Sequence, residues 1–133
     1  MRYQWHRFRN AALHVIVLAI VLAIGVLSLL PGQVRPHPFG SWTQLEHTTA
    51  YMVAAAVAVL FYAPKLKALH VFAYLSAYGV VLEVGQLFVP GRNAALIDVA
   101  ADIMGISIGI GAAHLVAQKL PKLHATLLIS ARR

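Results

Sequence analysis

The chain has 133 residues, 60% of them hydrophobic and only 11% charged, where a soluble domain carries roughly a quarter charged residues, and an ordinary soluble fold is thereby excluded. A spanning helix takes about 20 apolar residues, so this length holds one domain of at most four or five spans and leaves no room for a second. A formal charge of +7 in so apolar a chain points to membrane topology and anionic lipid headgroups and away from nucleic acid; the absence of cysteine removes disulfides and thiolate sites.

The first apolar run, residues 11–30, has no acid and no Lys or Arg, is broken only by His14, Gly25 and Ser28, and ends at Pro31-Gly32. A basic start before an apolar run also describes a signal peptide. Such a peptide has an apolar core of about 7 to 15 residues and an A-x-A-like cleavage site, so this run is expected to stay as a span. A proline-rich polar stretch from Pro31 to Gly40 precedes the second run, residues 45–63, which Pro64 ends and Lys65 and Lys67 follow. The third run, residues 66–89, contains Glu83 and Gln86 and gives way to the turn signal Pro90-Gly91-Arg92-Asn93. A fourth, residues 94–118, carries Asp98 and Asp102, and beyond it Leu120 to Arg133 reads as an amphipathic interfacial helix. Short links make neighbouring helices antiparallel. The expectation is an all-α polytopic membrane protein, a single domain over residues 1–133 folded as an antiparallel bundle of four transmembrane helices.

Orientation follows from the basic residues, which are in excess on cytoplasmic segments. Arg2, Arg7 and Arg9 precede the first run, Lys65 and Lys67 separate the second from the third, and Lys119, Lys122, Arg132 and Arg133 follow the fourth. All of these fall on one side of a four-span topology. Arg35 and Arg92 complete the eleven basic residues and fall on the other. Both termini are therefore expected to be cytoplasmic, with the Pro31–Gln44 segment and the Pro90–Asn93 turn facing outward.

The chain has four carboxylates, Glu46, Glu83, Asp98 and Asp102, and each lies in a segment next to an outward loop. Glu83 stands seven residues before Pro90, about 10 Å along a helix that rises ~1.5 Å per residue. His47 and Tyr51 are i, i+4 neighbours, as are Asp98 and Asp102; Glu83 and Gln86 are i, i+3 neighbours, so each pair shares a helix face. Ionisable groups at membrane depth are costly unless paired or hydrated, and they usually face a bundle interior or a wet cavity. An inward polar pocket is expected. Glu83, His47 and Asp98 are its candidates for proton transfer; Arg92, Gln86, Tyr51, Glu46 and Asp102 are its candidates for substrate binding. Arg92 is the fixed cation nearest in sequence, able to reach Glu83 or Asp98 or to grip a phosphate or carboxylate on a ligand. One arginine cannot neutralise four acids and His47, so some of them are expected to have raised pKa values or an exogenous cationic partner.

The segment Glu46-His47-Thr48-Thr49-Ala50-Tyr51, then Glu83-x-x-Gln86, Pro90-Gly91-Arg92 and Asp98-x-x-x-Asp102-x-x-Gly105-x-x-x-Gly109, resembles the VanZ-like family of small bacterial membrane proteins. The likeness runs over about residues 43–109, half of the chain. It implies a multi-pass protein of the bacterial inner (plasma) membrane, set in a cell-envelope or exopolysaccharide context, in a family whose founding member is linked to low-level resistance to a glycopeptide antibiotic. An Asp-Lys pair normally precedes the family's His by four and three residues, and an Asn follows the Asp of its last helix. Here Thr43 and Gln44 hold the first two places and Asp102 replaces the Asn. Losing that acid and base from the outer mouth withdraws support for any activity that used them, glycopeptide resistance included.

No HExxH or similar ligand spacing occurs, so neither a metal nor another cofactor is expected, although His47, Glu83, Asp98 and Asp102 have ligand chemistry. His14, His70 and His114 read as buried polar glue or interface residues. Gly105-x-x-x-Gly109 permits close helix approach, either within the chain or in a homodimer. Tyr3, Trp5, Trp42, Phe61 and Tyr62 read as interfacial anchors. Three functions fit this pattern: a protein binding or modifying an amphipathic envelope substrate, with membrane lipid or a lipid-linked envelope intermediate as partner; a structural or accessory subunit; or a small transporter. The transporter reading is weakened by the lack of any acid on the inner side. No GxSxG-type nucleophile is present, which leaves catalysis open.

Overall fold

The computed structural model describes residues 2–62 and 67–119, with side chains from residue 11 onward. It holds four helices, α1 Arg2–Leu29, α2 Thr43–Tyr62, α3 Ala68–Gln86 and α4 Leu96–Lys119, and no strand among the described residues. Residues Ala11–Leu29 of α1 and the whole of the other three are long and apolar enough to cross a membrane. The Leu120–Arg133 segment, Lys65 and the side chains of Tyr3 and Trp5 lie outside the described residues.

Helix ends depart from the apolar runs where turn chemistry intervenes. The third run reaches Val89, yet α3 stops at Gln86, because the N–H groups of Leu87, Phe88 and Val89 reach back only three residues, at 3.2, 3.1 and 3.0 Å. A β-turn follows at once: Arg92 N–H donates to Val89 O at 3.1 Å, with Pro90 second and Gly91 third at φ +73°. That is the type II turn, whose third position needs a positive φ.

The α1–α2 and α3–α4 loops meet at one end of the bundle, where Gly32 N–H donates to Pro90 O at 3.2 Å. A Cβ on Gly32 would strike the carbonyl of Gly91. Successive helices consequently run in opposite directions, and both α2 and α4 begin at the end where the loops touch.

The most extensive helix contact is between α2 and α4. Its seam on α4 is Ala101, Gly105, Gly109 and Ala113, all buried and spaced by four. Against it lie the backbones of Thr48 and Met52, so close that a Cβ on Gly105 or Gly109 would collide with their carbonyl oxygens. Thr48 Oγ1 also donates to Ala101 O at 3.3 Å. Small residues let two helices approach where hydrophobic burial from water gives no drive between them. Gly105 and Gly109 are thus covered by α2 of the same chain.

By contrast, α1 buries only Ile24 and Ser28 among its described side chains. It docks on α3 through Tyr78, whose hydroxyl lies over Gly25 and donates to Val21 O at 2.8 Å. Val15, Leu18, Leu22, Val26, Tyr74, Val81, Ile97 and Met104 face outward, the apolar exterior of a bundle suited to lipid. His14, His70 and His114 are exposed on that exterior and are not buried glue. His14 meets Tyr62 edge-on, His70 stacks on Tyr74, and the His114 ring bonds Ile110 O at 2.8 Å.

Filling the seam should unseat α2. Gly105→Leu is expected to cost about 3 kcal/mol or more, the upper end for overpacking against backbone, whereas Gly111→Leu, with nothing within 4 Å of its Cβ position, should melt near wild type. Thermal unfolding of the detergent-purified chain measures both.

Candidate functional site

Because α2 and α4 both start at the loop end, Glu46 and Asp98 stand in first helical turns, where the positive pole of the helix dipole favours a carboxylate. The final turn of α3 brings Glu83 and Gln86 to the same level. His47, Tyr51, Glu83, Gln86, Asp98 and Asp102 are all buried. The faces read from the i, i+3 and i, i+4 spacings therefore turn inward on all three helices.

His47 is the centre of the cluster. Its Nδ1 lies 2.9 Å from Asp102 Oδ1, and its Nε2 lies 4.0 Å from Asp98 Oδ2. With Asp102 ionised its carboxylate only accepts, and Nδ1 is then the donor, with Nε2 on the side of the ring toward Asp98. One ligand-capable atom each from His47, Glu83 and Asp98 lies within 4.8 Å of the other two. Asp98 Oδ1 also accepts from Gln44 Nε2 at 3.0 Å. Glu83 Oε2 accepts from the N–H of Ala95 at 2.9 Å, just before α4, and so caps one of that helix's free donors. Gly79 of α3 gives Asp102 and Tyr51 their room: a Cβ there would stand 2.6 Å from Asp102 Oδ2 and 3.2 Å from Tyr51 Oη.

Glu46 belongs to a second, outer layer. Arg35 Nη2 donates to Glu46 Oε2 at 2.8 Å, with side-chain exposures of 9% and 8%, and His37 Nδ1 stands 3.6 Å from Glu46 Oε1. Neither Arg35 nor His37 was identifiable as a site residue from the sequence, since both lie in the proline-rich loop with no periodic face. Their only signal is position, in the segment that joins the first two apolar runs. Arg92 does not take the role its place in sequence suggests: among the described residues it forms no ion pair with Glu83 or Asp98, which take Ala95 and Gln44 instead. Its Nε is buried and without a hydrogen-bond partner. Burial first, and then the neighbouring Arg35 guanidinium, hold the Arg92 guanidinium below the usual arginine range.

A cavity of about 500 Å³ opens between α1, α2 and the loop that joins them, within the size range of small-molecule sites. Arg35, His37, Glu46 and His47 supply its polar lining, and Ile24, Leu27 and Phe39 are among its apolar walls. Tyr51 lies deeper along the same face of α2. Chemically, this end of the bundle offers an imidazole oriented by one carboxylate and facing two more, beside a largely apolar pocket whose lining includes Arg35, His37 and Glu46.

No protein-family model matches the chain, and neither a curated protein nor a solved structure matches it.

The outer pair gives a direct test of how this end is held. Removing one member of a buried ion pair leaves the other unpaired at a cost of about 3–5 kcal/mol, so Glu46→Gln and Arg35→Gln should each lower thermal stability sharply. The double variant should recover most of the loss, and a double-mutant cycle on melting curves reads the coupling.

Proposed function

We propose that the chain is a VanZ-like integral membrane protein of the bacterial inner membrane with both termini cytoplasmic, and that its outward end binds an amphipathic cell-envelope lipid through an anionic headgroup. The observation that carries this reading is the shape and lining of the cavity. Arg35, His37 and Glu46, from the loop and the start of α2, line one part of it, while Ile24 and Leu27 of α1 give a wall along which an acyl or prenyl chain can lie. Ile24 is five residues inside the end of α1, about 8 Å of helix at ~1.5 Å per residue, so the apolar wall extends along α1 away from the loop.

Arg92 and Arg35 are the two fixed cations at this end, and Arg92 retains a buried donor without a partner. A guanidinium held in this way suits a phosphate, to which it can present two parallel donors. The one-sided basic residues support the orientation by the excess of Lys and Arg on cytoplasmic segments. His47, Tyr51, Glu83, Gln86, Asp98 and Asp102, which carry the VanZ-like resemblance, are all buried, and ligand-capable atoms of His47, Glu83 and Asp98 lie close together.

A second reading is favoured by specific bonds. Glu83 to Ala95, Gln44 to Asp98 and Arg35 to Glu46 each tie one segment to another, as they would in a brace for a structural subunit of a larger envelope assembly.

Native mass spectrometry of the detergent-purified chain with a polyisoprenyl phosphate and the matching polyisoprenol separates the two. The phosphate should be retained and the alcohol lost, and Arg92→Gln should weaken retention roughly 10- to 100-fold, the worth of a hydrogen bond to a charged group at about 1.5–3 kcal/mol. Equal retention of both lipids overturns the binding role. Loss of membrane-inserted protein in Glu83→Gln and Asp98→Asn, with no headgroup preference in the wild type, supports the brace.

A further inference from the structure

Three polar atoms buried within the cluster have no hydrogen-bond partner in the protein: one is the donor Gln86 Nε2, and the other two are able to bind a cation, His47 Nε2 and Glu83 Oε1. Their residues are only 6% and 5% exposed, and both belong to the trio whose ligand-capable atoms lie within 4.8 Å of one another, Asp98 being the third. With Nδ1 bound to Asp102 at 2.9 Å, the free electron pair of a neutral His47 points at carboxylates. Two electron-rich groups facing each other in a buried place repel unless a cation lies between them. A proton on Nε2 would have no acceptor within hydrogen-bond distance, the nearest Asp98 oxygen being 4.0 Å away.

We infer that His47 Nε2, Glu83 and Asp98 form a binding site for a first-row divalent transition cation such as Zn²⁺ or Mn²⁺, with Asp102 as the residue that positions the imidazole. The donor set is one imidazole and two carboxylates, which suits such ions, while Mg²⁺ and Ca²⁺ prefer oxygen ligands throughout. Asp102 supplies what metal-binding histidines usually have, a carboxylate on the other ring nitrogen that fixes tautomer and orientation. Charge favours the same occupant. Glu46 is matched by Arg35, whereas Glu83, Asp98 and Asp102 share one imidazole and an Arg92 that pairs with none of them. The site comes from three helices, so it leaves no local spacing motif, and for that reason the sequence alone gives no expectation of a metal. It stands apart from the lipid reading: a chain that binds the metal and shows no headgroup preference loses the second and keeps the first.

The test uses the full chain in detergent, stripped with chelator, equilibrated with ZnCl₂, MnCl₂ or MgCl₂, desalted, and assayed for metal per chain and for thermal stability. About one Zn²⁺ or Mn²⁺ per chain is expected, with a raised melting temperature, and no retained Mg²⁺. Glu83→Gln and Asp98→Asn should lose the ion without loss of any histidine, and Asp102→Asn, which keeps every ligand, should bind about 10- to 100-fold more weakly. The exposed His70 and His114 provide an internal contrast, because metal held by surface histidines would survive in all three variants. A folded wild-type chain that retains no transition metal overturns the inference. Wild-type affinity in Asp102→Asn, or in whichever ligand variant folds, overturns it equally.

Discussion

An ionised side chain in hydrocarbon costs several kcal/mol unless it finds a partner or water, and the architecture of this chain follows from that penalty. Its four acids fall on three helices, and each takes a hydrogen-bond partner from another segment of the chain. Asp102 holds His47 across the α2–α4 contact, Glu83 holds the backbone where α4 begins, Asp98 takes Gln44, and Glu46 takes Arg35 from the loop. Two of them, His47 with Asp102 and Gln44 with Asp98, require α2 and α4 to be close. The glycines of α4 permit it, because their lack of a side chain lets the α2 backbone sit directly on the seam. The seam and the polar cluster are thus two parts of one device, in which small residues bring the helices together and charged residues fix how they meet.

Local backbone physics adds to this convergence. Both helices that contribute acids in their first turns start at the same end, so two positive dipole poles point into the region where the carboxylates gather. The type II turn at Val89–Arg92 and the contact between Gly32 and Pro90 keep that end compact. Lying outside this frame is α1, with two buried residues among its described side chains and a wall of the cavity to itself. An element with so few buried contacts is the one that opens most readily. An entering lipid tail would meet α1 before it met the tighter α2–α4 pair.

Much of this was legible in the residues. Apolar runs divided by prolines, glycines and lysines define the four helices to within a few residues, except at the start of α1, which begins at Arg2, nine residues before its apolar run, since hydropathy marks what can cross a bilayer and not where a helix begins. The i, i+3 and i, i+4 spacing of His47 with Tyr51, Glu83 with Gln86, and Asp98 with Asp102 identifies the inward faces. Pairing is what the sequence hides. Gln44 and Asp98 are 54 residues apart and His47 and Asp102 are 55 apart, so their partnership depends on helix register, which no local pattern encodes. Arg35 and His37 sit in an aperiodic loop and give no sign of facing Glu46. Arg92 misleads for a related reason: proximity along the chain suggests a partner, but the turn that holds Arg92 directs the nearest acid toward a backbone N–H. His70 and His114 show the opposite error, since a polar residue in an apolar run can also rest on the outer surface against a ring or a carbonyl.

Orientation in the bilayer is the claim on which the functional account stands, and the chain lends itself to a direct measurement because it contains no cysteine. Single-cysteine variants at Asn93 and Lys67, both exposed and at opposite ends of the bundle, can be treated with a membrane-impermeant maleimide in intact cells and again after permeabilisation. Labelling at position 93 in intact cells, with position 67 reactive only once the membrane is breached, is the predicted result. The reverse pattern would put the carboxylate cluster at the cytoplasmic face and contradict the account.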